Sequence, residues 1–511
     1  MGKMDGEFMV RIACPWMMVP ALVAAMPAQA ADAGREGAWA ERLGWGPSAA
    51  PETGPPPGSD GWLRHQLDDR IDPLPPAIQA QIGGLRISRE PVAALVVGTD
   101  AMQRDLKAIT DPEQKKAARQ AYQKAMNGLA DEARTRFILR ALYSPDQLRE
   151  RMTWFWFNHF NVQAGKRDIR AMVGDYEETI RTHALGRYRD LLEATLRHPA
   201  MLRYLDNDKN AAGKINENYA REIMELHSMG VGSGYTQSDV QELARILTGV
   251  GVDQKPDAPK LKPALQPYYL RAGLFEFNPA RHDFGTKHFL GHEIKGSGFA
   301  EVEQALDLIA DSPATASHVS RRIATYFMGD DPPPALVARM AATFRQTHGD
   351  IAAVLKTMIR AREFSGALGS GFKDPVGYTL SAVRLGYGDR TVINVRPIIG
   401  WIRQMGEGLY DHETPDGYDL SSAAWSAPGQ MAARFDIARQ IGGGAARLFQ
   451  APDADPAMPP PPSPPPALKD SPILAARMPS LGKPTLAALG QAKSPAEWNA
   501  LYFSSPDFMH R

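Results

Sequence analysis

Cysteine is almost missing: the 511 residues hold one, Cys14. That excludes a disulfide framework and the usual multi-cysteine zinc or iron–sulfur sites. An excess of charge of either sign is missing too, with 58 Lys plus Arg against 58 Asp plus Glu. A nucleic-acid binder neutralises phosphates with a basic excess or stripe, so that class drops out. No apolar run after residue 30 is long enough to span a bilayer. Nucleophile-elbow, Walker and dinucleotide fingerprints are lacking, as is HExxH. What is there is ordinary globular composition, 43% apolar and 23% charged, with ample material for a core.

Residues 1–30 read as a secretory signal peptide. Arg11 supplies the positive start, an apolar stretch runs from Ile12 to Met26, and Ala28-Gln29-Ala30 is a small-x-small cleavage site. A transmembrane anchor is the alternative, but the run is short and is broken by Pro20. Cleavage after Ala30 would remove Cys14, leaving an exported, periplasmic or extracellular chain without thiol chemistry.

The rest predicts a mainly α fold. An Ala/Gly/Pro-rich segment at 31–60 precedes a single large helical domain over 61–511, with a small β-hairpin near 274–291. Glu113 to Tyr143 predicts a long helix, and Ser144-Pro145-Asp146-Gln147 a capped new start. Helical patterns continue over Asp168–Leu185, Tyr188–Arg197 and Asn216–Met229. Tyr235-Thr236-Gln237-Ser238-Asp239 predicts a capping box, followed by Val240, Leu243, Ala244 and Leu247 on one buried stripe. The Pro-rich run at 451–471 is a surface polyproline segment, a stiff spacer or a docking ligand.

Three runs carry chemistry. In Trp154-Phe155-Trp156-Phe157-Asn158-His159-Phe160-Asn161 the aromatics point all round, so this helix should be buried on every side. Asn158 and Asn161 share a face with Trp154 and must find partners there, in a core network or lining a cleft. In Asn216 to His227, Asn218, Arg221, Glu222 and Glu225 fall within a ~100° arc, either a site or a solvated face with an Arg221–Glu225 pair. Glu222 and Glu225 point the same way, so they cannot flank a glycosidic bond without a partner from elsewhere. The third run, His282-Asp283-Phe284-Gly285-Thr286-Lys287-His288, offers that partner. A metal on His159, His282 and a carboxylate is a minor alternative, and no cofactor is otherwise called for. Asp206-Asn207-Asp208 with Glu217 mimics a calcium loop but lacks its sixth-position glycine, Ala211 standing there.

These runs resemble the bacterial domain-of-unknown-function 1800 family. The resemblance rests on Phe155-Trp156-Phe157-Asn158-His159-Phe160, Asn216-Glu217-Asn218-Tyr219-Ala220-Arg221-Glu222, Glu225-Leu226-His227, Tyr235-Thr236-Gln237-Ser238-Asp239-Val240 and His282-Asp283-Phe284-Gly285-Thr286-Lys287. It implies an exported, mostly helical protein and supplies no activity.

Two functions remain. One is a hydrolase-like enzyme acting on an extracytoplasmic polymer, a glycan or other cell-envelope ligand. Glu222, Glu225, His282 and Asp283 would do general acid–base chemistry, while Asn158, His159, Asn218, Arg221 and Lys287 position substrate. The other is a non-catalytic scaffold or binding protein whose polar runs are structural networks.

Overall fold

A computed structural model describes residues 28–50, 54–455, 458–460 and 462–511. The apolar run of the expected signal lies outside them, and its expected cleavage site opens the helix Ala28–Leu43. Helices dominate, with two small antiparallel sheets between residues 250 and 294. No helix among the described residues is long and apolar enough to cross a membrane.

The organising element is the helix Gln147–His159, which is buried along its whole length. An amphipathic helix needs one covering neighbour; this one, apolar and aromatic on all sides, needs several. It is packed by Pro112–Tyr143, Val173–His183, Ala28–Leu43 and Asp60–Gln66. Its charged residues are buried only where they are paired: Glu150 takes a forked contact from Arg181, with Nη2 at 2.6 Å. One apolar cluster runs from Trp39 to Met509 through these helices.

Two local expectations shift. Ser144-Pro145 is the corner between helices rather than a helix start; Asp146 is the residue before the first turn, which begins at Gln147. Ser144 Oγ accepts from the Asp146 amide at 3.1 Å, and the Gln147 amide group donates back to the Ser144 carbonyl at 2.8 Å. The two strands around His282 also form, but not with each other. Phe275–Phe277 is the middle of a three-stranded sheet between Val250–Val252 and Leu270–Ala272, whereas Lys287–Phe289 pairs with His292–Ile294 across a two-residue turn. Short hairpin loops favour the nearest partner, and each segment found one closer in sequence.

The capping box forms as expected, with Asp239 N donating to Thr236 Oγ1 and Thr236 N to Asp239 Oδ2. Val240, Leu243, Ala244 and Leu247 are buried beneath it. The Pro-rich run lies mostly exposed and is pinned at its end, where Asn499 donates to the Pro466 carbonyl at 2.8 Å.

Candidate functional site

Asn158 and Asn161 stand at the exit of the buried helix, and their amides hold one loop. Asn158 donates to the Tyr418 carbonyl at 2.9 Å and accepts from the Tyr418 amide at 2.6 Å. Asn161 donates to the carbonyls of His412 at 3.2 Å and Thr414 at 2.8 Å. Gly417 lies in that loop with φ +72°, where a Cβ would collide with the Asn158 carbonyl. The loop, residues 411–420, carries Asp411, His412, Glu413, Asp416 and Asp419. Asp416 takes a 2.5 Å bond from Thr414 and has His412 Nε2 at 3.5 Å.

Opposite lies the second run, which is a helix only as far as Glu222. Asn218–Glu222 is α-helical, and Ile223–Ser228 is a π-turn, with the Ser228 hydroxyl donating to the Ile223 carbonyl at 2.6 Å. A π-turn adds a residue to the wheel and costs packing, so it recurs where side chains must be re-aimed. Asn218 donates to the Leu205 carbonyl and so fixes the start of the helix. Arg221 turns to Glu217 at 3.1 Å and Gln237 at 3.0 Å, not to Glu225. Glu222 and Glu225 are therefore left without a hydrogen bond or close ion pair among the described residues. Burial raises the Glu222 carboxyl above its ordinary value, Glu225 and Asp416 add to the shift, and Arg221 opposes it. Tyr235 and Tyr204 lie close enough to feel these carboxylates.

Behind the π-turn sits a third feature. His159, His227 and His318 cluster, with ring centroids 6.2 Å and 6.3 Å from His159. His159 Nε2 donates to the His227 carbonyl at 2.8 Å, leaving Nδ1 buried and unpartnered; His227 Nε2 and His318 Nε2 are likewise unpartnered. Burial, reinforced by Arg322, pushes His227 down to about 3 and His318 to about 4, and holds His159 well below its ordinary value. All three are neutral imidazoles near pH 7. Arg322 itself makes no ion pair within 4 Å among the described residues, and its Nε has no partner. Asp416 and Asp419 face it from the loop. Gly230, at φ +88°, lets the chain pass the His318 ring, where a Cβ would stand 2.7 Å from Nδ1. The nitrogens of these rings do not converge to the spacing of a shared metal ion.

The order of these motifs through nearly the whole chain decides its kinship. The chain belongs to the family described as protein of unknown function (DUF1800), whose model matches residues 38–510. No curated protein and no solved structure matches it.

Not every residue singled out in this DUF1800 chain is left free for a ligand. His282 is buried with both ring nitrogens engaged: Nε2 meets Glu301 Oε1 at 2.9 Å, and Nδ1 meets the Thr248 carbonyl at 2.8 Å. Lys287 is fully buried and binds the other Glu301 oxygen and the Asp283 carbonyl. Asp283 pairs with Arg245 at 2.8 Å. These three build a closed network around Glu301, so neither the His282–Asp283 partner for Glu222 nor a His159–His282 metal site is formed. The calcium-like loop spends its carboxylates on cations, Asp206 on Lys166 and Lys209, Asp208 on Arg167.

Arg322, His318, Asp416 and Asp419 were not singled out by sequence reasoning. Their signal was present: His318 and Arg322 are four residues apart, on one face of the helix Pro313–Met328. The loop likewise concentrates four carboxylates and a histidine within nine residues, 411–419.

Proposed function

We propose that the protein is an exported hydrolase-like enzyme acting on an extracytoplasmic glycan, with Glu222 and the 411–420 loop as its site. The observation that carries this reading is Glu222: half-buried, unpaired among the described residues, and raised in pKa by burial, by Glu225 and by Asp416, a carboxylate on a different element. Two carboxylates of one helix cannot flank a bond, whereas Glu222 and Asp416 approach from separate elements. Glu222 gives its proton to the glycosidic oxygen as the carbon–oxygen bond breaks. Asp416 takes a proton from the water that attacks the anomeric carbon, and both reset through solvent. Arg322, unmatched by any close carboxylate, binds an anionic group of the polymer, and Tyr235 and Tyr418 offer partly exposed rings to sugar faces. The signal pattern of residues 1–30 supports export.

Release of reducing ends from peptidoglycan sacculi, chitin and dextran tests the reading. Wild-type protein should release them from at least one, and Glu222→Gln should slow release by about 100-fold. Because Glu222 must hold its proton, the rate should fall as pH rises through its raised pKa. No release from any of the three, or equal rates for Glu222→Gln, contradicts the proposal.

A second reading, a non-catalytic scaffold, is favoured by the polar side chains that are spent internally. Asn158 and Asn161 tie down a loop, and His282, Lys287 and Glu301 satisfy one another.

A further inference from the structure

Far along the chain from the Glu222 site, the segment before the buried helix brings three metal-type donors together. His65 closes the helix Asp60–Gln66, Asp72 follows in the next loop, and Asp146 stands just before Gln147. His65 Nε2 lies 3.5 Å from Asp72 Oδ2 and 3.8 Å from Asp146 Oδ1, with the three ligand atoms all within 4.8 Å of one another. These separations are long for hydrogen bonds, which cluster near 2.9 Å. They suit donors that share one ion. Ligands at about 2.0–2.2 Å around a four-coordinate centre sit roughly 3.4 Å apart.

The remaining atoms of each group are already occupied, which aims the free ones. Asp146 Oδ2 accepts the Asp72 amide at 2.9 Å, leaving Oδ1 without a hydrogen-bond donor among the described residues although Asp146 is only 3% exposed. Asp72 Oδ1 takes Arg70 Nε at 3.2 Å, leaving Oδ2 turned to His65. Gln66 locks the two segments together, donating to the Pro145 carbonyl at 2.8 Å and accepting from the Leu148 amide at 2.9 Å. Outer contacts of this kind fix first ligands in place. Two carboxylate oxygens and an imidazole nitrogen drawn this close, one of them on a buried residue, form a donor set that a shared cation would hold together.

We infer that His65, Asp72 and Asp146 bind a divalent transition-metal ion of the zinc class through one nitrogen and two oxygens. One imidazole with two carboxylates suits a borderline ion better than calcium or magnesium, which take oxygen alone. Three protein ligands leave a fourth position open. His65 and Asp72 also line a cavity of about 940 Å³ together with Tyr143, Ser144 and Gln147, so that position opens onto water or a small ligand. None of the residues proposed for the Glu222 site lines this cavity, and the two proposals stand or fall separately.

The test uses the full chain, stripped with a chelator and titrated with zinc by calorimetry. One ion per chain is expected, with a raised melting temperature. Affinity should fall on the order of 100-fold in His65→Ala and Asp72→Asn, and stay unchanged in His288→Ala, which alters an exposed histidine. Cobalt titration of the wild-type chain adds a readout that needs no variant, since tetrahedral coordination gives intense visible bands. Absence of those bands together with no zinc uptake, or uptake that His65→Ala leaves unaltered, overturns the site; it would then be a plain His65–carboxylate contact.

Discussion

Two glutamates show opposite electrostatics in one molecule. Glu301 is shut in, yet its two oxygens meet His282 and Lys287. Burial alone would raise its pKa, but those two bonds win and hold it below the ordinary carboxylate value. A depressed pKa contributes stability that is present above the unfolded value and is lost as pH falls through the folded one. Glu301→Gln should therefore cost about 3–5 kcal/mol in denaturant unfolding at pH 7, since it strands the buried Lys287. The penalty should shrink below pH ~4, where the wild-type carboxylate of the unfolded chain is itself protonated. An unchanged unfolding midpoint at pH 7 would show that the network carries no stability. In sequence, His282 stands beside Asp283, and adjacency suggests that pair; in the fold its carboxylate comes from residue 301, on the first turn of Phe299–Ala310. Local sequence cannot show a partner brought in by tertiary packing.

At the scale of elements, periodicity and caps are the legible features. The all-round aromatic helix and the Thr236–Asp239 box are both readable because each is decided within one or two turns. Thr236→Ala should cost about 1 kcal/mol in thermal unfolding, as the amide of Asp239 loses its acceptor. The π-turn at Ile223–Ser228 is not legible, because a helical wheel drawn at 100° per residue hides the inserted residue. The 411–420 loop is set by Asn158 and Asn161, which lie some 250 residues before it in the chain. Gly417→Ala should loosen that loop through both the φ strain and the collision with Asn158, at about 1–3 kcal/mol. Hydrogen exchange should show faster exchange of the Tyr418 amide, while Gln147–His159 stays protected. Unchanged protection at Tyr418 would mean that the loop is held by something other than the Asn158 clamp.

For the whole molecule, one apolar cluster from Trp39 to Met509 supports two kinds of polar group. Some are consumed by the fold: Arg181 with Glu150, His282 and Lys287 with Glu301, Lys373 with Glu41. Others are left unspent among the described residues: Glu222, Glu225, Arg322 and the free nitrogens of three neutral histidines. On the proposed function, groups of the second kind are kept for a ligand and do not hold the fold together. A carboxyl whose pKa is raised on folding is disfavoured when ionised, so at neutral pH removing its charge should relieve the folded state. The melting temperature of Glu222→Gln at pH 7, beside wild type, measures this without any substrate. A temperature equal to or above that of wild type is expected. A fall of several degrees, equivalent to roughly 2 kcal/mol or more, would make Glu222 a structural node and contradict it.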